Sequence, residues 1–272
     1  MSNSQGDDLC ERLFQGHGGT RVWDQIGALE VKLRVGGNLL ASKCVSPRTR
    51  SLTGIFATRH TYARLSPFPK PGQVGVFSGQ EVHIESDGGH IVGSRRFSRG
   101  EDGSVQVRPV WDDLDLLYFL GYALWNYCVT PFVFRWPGFS FQEGPTLNPE
   151  PGVSWRTLDV SYPPHFPTHS KSQRFYVNTQ GLLVRLDYTA EVFGRWVHGA
   201  HFCQEYRVFG GLAFPTHRIV YPLLKSGHCL RLLSAMEGWI EDVRILPHGS
   251  SEWEEPPGTE SGASLPIDGP HS

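Results

Sequence analysis

From Leu29 onward the chain alternates. Leu29, Val31, Leu33 and Val35 fall on one side and Glu30, Lys32 and Arg34 on the other. Side chains on a strand repeat every two residues, so this segment is predicted to be a strand with one wet face. Gly36 and Gly37 end it. Further strands are predicted over residues 52–65, 73–78, 81–86, 90–97, 153–161, 173–178, 182–193, 202–209, 212–221 and 237–246. Two of the junctions read as hairpins. In FYVNTQGLLVRLDY the turn is Asn178-Thr179-Gln180-Gly181, with Gly181 suited to a left-handed position. In EYRVFGGLAFPTHRIVY it is Gly210-Gly211, and Pro215 early in the second strand suggests an edge or a bulge there.

Two stretches break the alternation. Residues 7–15 read as a short helix ended by Gly18 and Gly19. Thr20 then reads as the N-cap of a second short helix carrying Trp23 and Ile26. Residues 111–134, WDDLDLLYFLGYALWNYCVTPFVF, are apolar nearly all round, with Asp112 or Asp113 to cap the start and Pro131 to limit the end. A membrane span is the alternative for a run of that length. Asp115, Gly121 and Asn126 inside it favour instead a helix of about residues 112–130 lying over the sheet. The fold class expected is mainly β (α+β): a curved antiparallel sheet or half-barrel, with short N-terminal helices and one apolar helix covering the concave side. Residues 7–247 form the expected β domain. Residues 1–6, and the Ser, Glu, Pro and Gly-rich residues 248–272, are expected to be disordered because they offer little apolar surface to bury.

Composition narrows the partners. The formal net charge of −2 supplies no electrostatic footprint for nucleic acid or an anionic membrane. The five cysteines are odd in number and never form CxxC, which reads as free thiols in a reducing compartment. The polar, acidic start MSNSQGDDLCERL does not look like a secretory signal. A cytoplasmic location is therefore expected. Nucleotide, P-loop, zincin and serine-hydrolase motifs are missing from the sequence, so no cofactor is expected.

A set of motifs runs along the chain: His17-Gly18-Gly19 followed by Trp23, then FYVNTQGLLVRLDY and FGGLAFPTHRIVYP, with SPFPKPGQVGVF and WDDLDLLYFLGYALWNYCVTPF between them. Together, over residues 9–246, they resemble a family of uncharacterised proteins similar in layout to the LolA/LolB-like lipoprotein-carrier fold. The resemblance implies a curved antiparallel sheet wrapped around helices, with acyl chains held on its concave side.

Candidate chemistry is scattered. His17 reads either as a cation at the negative end of a helix or as a ring facing a cavity. If TRHTYARL is one strand, His60, Tyr62 and Arg64 share a face and could line a pocket for a carbonyl or carboxylate. A solvated outer face is the competing reading. Asp112, Asp113 and Asp115 could raise one another's pKa values to make an acid or base, though helix capping is the commoner use. His198, His201 and Cys203 form H-x-x-H-x-C without a recognised metal spacing, so no metal is expected. His169 and His217 could join a site from elsewhere. Arg185 with Asp187, and Glu205 with Arg207, are expected to pair. The leading function is binding of a hydrophobic small molecule or lipid in the concave pocket, with Arg64, Tyr118, Tyr122, Trp125 and Arg185 as ligand contacts. The alternative is a cofactor-independent cyclase or isomerase acting on a polyketide- or terpenoid-like substrate, with His60, Tyr62, Asp113, His201 and Tyr206 as catalytic groups.

Overall fold

A computed structural model of the chain describes residues 4–98, 100, 105 and 107–249. Its thirteen strands form one antiparallel sheet in the order β6-β5-β4-β3-β2-β1-β13-β12-β11-β10-β9-β8-β7. Two meanders meet at its centre. The first comprises β1 (Ile26–Gly36), β2 (Arg50–Ala57), β3 (Ala63–Ser66), β4 (Gln73–Ser78), β5 (Glu81–Ser86) and β6 (Ile91–Arg96). The second comprises β7 (Ser140–Glu150), β8 (Val153–Ser161), β9 (Ser172–Val177), β10 (Leu183–Thr189), β11 (His198–Phe209), β12 (Leu212–Pro222) and β13 (Met236–Pro247). The first and last strands join them, with Leu29 opposite Ile245 and Val31 opposite Val243. Leu29, Val31, Leu33 and Val35 are all buried, as the alternation predicts, while Glu30 binds Arg244 and Arg34 binds Glu241 on the other face.

β6 and β7 follow one another in the chain yet lie at opposite edges of the open, curved sheet. The segment between them carries α3 (Asp113–Val129), which packs on β2 through β6. The helix starts where it does because of a capping box. Asp112 accepts hydrogen bonds from the Leu114 and Asp115 amides, and Asp115 accepts from the Asp112 amide. Its interior polar residues have structural partners. The Asn126 amide nitrogen donates to the carbonyls of Tyr122 (2.8 Å) and Pro167 (2.7 Å). A side chain at Gly121 would overlap Phe77, so this glycine lets α3 approach β4 closely. Among the described residues no helix is long and apolar enough to cross a membrane.

Several expectations are corrected. α1 runs Ser4–Gly16, so residues 4–6 are helical where disorder was expected; residues 1–3 and 250–272 lie outside the described residues. The N-cap of α2 (Thr20–Trp23) is Gly19 at φ 84, not Thr20, and Ile26 opens β1 instead of ending that helix. Residues 52–65 are not one strand. The chain turns at residues 58–62, where the Thr58 hydroxyl donates to the carbonyls of Ile26 and Gly27. No glycine or proline marks that turn, so alternation alone runs through it. β7 was not expected, because Gly144, Pro145 and Pro149 demote a strand. It is an edge strand paired only with β8 and irregular at those residues, which is where proline is tolerated. Pro215 lies inside the sheet opposite Tyr206. The distortion falls on the neighbouring strand at Glu205, whose φ is 54 and whose carbonyl accepts the Thr216 hydroxyl.

The glycine motifs converge. Gly18, at φ 112, packs against the Gly211 carbonyl, and the Ala213 amide donates to the His17 carbonyl at 3.1 Å. Gly16 packs against Gly181, which takes φ 79 in a turn held by the Asn178 side chain. The end of α1 is thus seated on both hairpins at once, and side chains at these glycines would prevent it.

Candidate functional site

α3 is buried nearly all round, but its faces meet different surroundings. Tyr118, Tyr122 and Trp125 pack into the solid core. Trp125 donates to the Ala57 carbonyl at 2.9 Å, and Tyr118 stacks on Phe97 at 4.1 Å. One stripe further round the helix, Leu120, Ala123, Leu124 and Tyr127 face a cavity of about 340 Å³. Its other walls come from β1, β10, β11, β12 and β13 and from the turns beside them, including Leu33, Phe193, Val220 and Met236. The size is at the small end of the about 300–1,000 Å³ usual for ligand pockets. Trp196 and Leu224 line the same space while remaining 77% and 44% exposed, so they mark its mouth.

Polar groups collect at the opposite, buried end. His169 stacks on Tyr188 at 4.1 Å. Its Nε2 lies 2.6 Å from the Tyr127 hydroxyl and its Nδ1 lies 3.1 Å from the Tyr122 hydroxyl. Both ring nitrogens are therefore engaged. His201 and Cys203 share a face of β11, and Arg218 on β12 reaches both, with Nη1 3.2 Å from Cys203 Sγ and 3.5 Å from His201 Nε2. Arg218 Nη2 donates to the Tyr127 carbonyl at 3.1 Å, and the guanidinium lies over the Tyr127 ring. Burial pushes the phenol of Tyr127 up to about 12 and raises that of Tyr188, so both stay protonated. Burial likewise raises the Cys203 thiol and drives His201 well below the usual histidine range, so these two are neutral.

Of the residues nominated from sequence, His169, His198 and His201 line the cavity, and Tyr122 touches its polar end through His169. The others lie elsewhere. His60 sits in the β2–β3 turn, and Tyr62 is buried in a small separate cluster with Ala57 and Val76. Arg64 is held by Glu85 at 3.1 Å. Arg185 binds Asp187 at 2.6 Å on the face of β10 opposite to Leu186 and Tyr188. Tyr206 donates to the Leu183 carbonyl at 2.6 Å and lies 3.3 Å from His17 Nε2. His17 Nδ1 donates to the Leu13 carbonyl at 2.8 Å, so it closes the helix end by a hydrogen bond. It does so as a neutral ring, because burial lowers its pKa to about 4, and the expected cation is not there. Asp113 is exposed, while Asp112 and Asp115 do the capping with Arg95 and Arg108 as partners. Among the described residues no three His, Cys, Asp or Glu side chains converge as a metal site; His198 instead bonds Thr189 at 3.0 Å.

Tyr127, Tyr188 and Arg218 were not nominated. Tyr127 had a signal, since it continues the i, i+3, i+4, i+7 stripe Leu120, Ala123, Leu124. A helix apolar on every side does not reveal which stripe faces space. Arg218 had none, sitting beside His217 in a strand that looked ordinary.

Fold and site together define an open antiparallel sheet curved round a helix, with an apolar cavity beside that helix, an architecture that solved structures share. A DUF1329 family protein from Desulfovibrio piger superposes with a TM-score of 0.52 at 15% identity, over 92% of this chain and 95% of its own. A domain from Vibrio parahaemolyticus described as an outer membrane lipoprotein-sorting protein gives 0.53 at 9% identity, over 92% and 96%. A LolA superfamily protein from Nitrosomonas europaea gives 0.49 at 12% identity, over 89% and 93%. At such identities the likeness is one of fold. No family model and no curated protein matches the chain.

Proposed function

We propose that the protein binds a hydrophobic small molecule or lipid in the cavity between α3 and strands β1 and β10–β13. One observation carries this reading: an apolar cavity of about 340 Å³ stays open in an otherwise packed interior, with exposed Trp196 and Leu224 at its mouth. Interiors normally close such space, because unfilled volume forfeits contacts. The sorting function named for the Vibrio parahaemolyticus domain is in keeping with an apolar cargo. The test is mass spectrometry of a solvent extract of purified protein, together with Nile red binding. Val197→Trp, which narrows the cavity from its wall, is expected to lower Nile red binding about tenfold or more while the fold persists. Unchanged binding would reject the cavity as the site.

A cofactor-independent cyclase or isomerase draws on one observation, the gathering of Tyr127, His169, Tyr188 and His201 at one end of the cavity. With the Tyr127 and Tyr188 phenols held protonated, those groups are suited to donating hydrogen bonds to a carbonyl rather than removing a proton. Recovery of the extracted compound unchanged after prolonged incubation with the protein would remove this reading and leave binding.

A further inference from the structure

Arg218 is 8% exposed, and its partners among the described residues are a carbonyl, a thiol, an imidazole and an aromatic face. None carries negative charge. The thiol and phenols beside it are held in their neutral forms by burial, so they do not supply a counter-ion. Glu237 also lines the cavity, but it is bound to His217 Nε2 at 2.8 Å. A buried cation without an anion is costly, and proteins almost always pair such a group.

The hydrogen-bond inventory points the same way. Arg218 Nε is buried and donates to nothing among the described residues. His201 Nε2 accepts from Arg218, so the neutral ring carries its proton on Nδ1, and that atom too is buried with no partner. Two residues lining one cavity thus each hold an unused N–H donor, and one of them is a cation. An oxygen anion against Arg218 would supply the missing counter-charge and accept from an unused donor.

We infer that Arg218 and His201 form the head-group site for an amphiphile with one apolar chain and an anionic oxygen head, a carboxylate or phosphate monoester, that enters head first. This rests on the proposed binding function and names its ligand class. The orientation follows from burial: the donors lie at the closed end, and the exposed apolar Trp196 and Leu224 lie at the mouth, where the tail would run. A chain carrier that buries only tails has no use for a cation at the closed end.

The test is displacement of Nile red from the full chain by dodecanoate, methyl dodecanoate and dodecyl phosphate below their aggregation concentrations. The acid is expected to bind about tenfold or more tighter than its ester, the size of a charge-assisted hydrogen bond in a desolvated site. Arg218→Met is expected to erase that preference, and Arg218→Lys to retain part of it. Tighter binding of the phosphate than of the carboxylate supports the same site and assigns its head group. Equal affinities for acid and ester in the unaltered protein would overturn the head-group site and leave the cavity reading standing. Displacement by none of the three would overturn both. The wild-type ratio decides the matter even if Arg218→Met fails to fold.

Discussion

Asp115 and Arg218 are buried to nearly the same degree, 1% and 8% exposed, and the protein treats them in opposite ways. Asp115, at the start of α3, takes Arg95 at 2.9 Å, Arg108 at 2.9 Å and the Asp112 amide at 3.1 Å. The same arginines hold the Asp112 carboxyl well below the usual carboxylate range, chiefly through the Arg95 hydrogen bond. Each carboxylate oxygen of Asp112 and Asp115 has a donor, and the corner lies on the packed flank of the sheet. Arg218, on the flank with the cavity, keeps one donor idle and has no anion among the described residues. A satisfied buried charge is an architectural device, whereas an unsatisfied one beside empty space is a demand for something from outside.

The contrast can be broken by mutation. Asp115→Ala leaves Arg95 and Arg108 with Asp112 as their carboxylate partner and removes half of a capping box. It is expected to cost about 3 kcal/mol, the low end for breaking a buried pair, because Arg108 is half exposed. Urea unfolding measures it, and a cost below about 1 kcal/mol would make this corner an ordinary surface cluster.

The second effect is of pH. His17, lowered to about 4, and His201, held well below the usual range by burial, are neutral in the folded protein. The unfolded chain takes up protons first, at about pH 6.5. Stability is therefore full above pH 6.5 and falls as pH drops toward 4, by at most about 1.4 kcal/mol per pH unit for each histidine. Protonating His201 would also place a second cation against Arg218. His17→Gln should flatten the slope between pH 6.5 and 4; an unchanged slope would show that His17 is not one of the groups responsible.

The smallest effect is expected where intuition about buried arginines would place a large one. Arg218→Met in the empty protein should leave the urea midpoint unchanged or raise it slightly, since a desolvated lone cation is exchanged for an apolar chain of similar length. A loss above about 2 kcal/mol would mean that Arg218 is structural like Asp115, and the comparison would collapse.

Period-two alternation was enough to read most of the strands, because a strand with one wet face writes its geometry into adjacent residues. Leu29, Val31, Leu33 and Val35 needed nothing distant to be understood. The helix, its acidic cap and the two glycine hairpins were legible for the same local reason. The β2–β3 turn was not, since it is pinned by carbonyls of Ile26 and Gly27 some thirty residues earlier. Nor was edge strand β7, whose prolines are acceptable only because one side of it has no neighbour.

The site was hidden more deeply. α3 is apolar on all faces, so its sequence does not say that Tyr118, Tyr122 and Trp125 pack solidly while Leu120, Ala123, Leu124 and Tyr127 border a cavity. His201 and Cys203 share a strand face by local rules, but the guanidinium that joins them comes from the next strand, in the register Cys203 to Arg218. The sequence by itself determined which residues lie on the same side of each strand. Only the tertiary structure decided which sides are filled, which are left hollow, and which charge is left without a partner, because those depend on contacts between segments far apart in the chain.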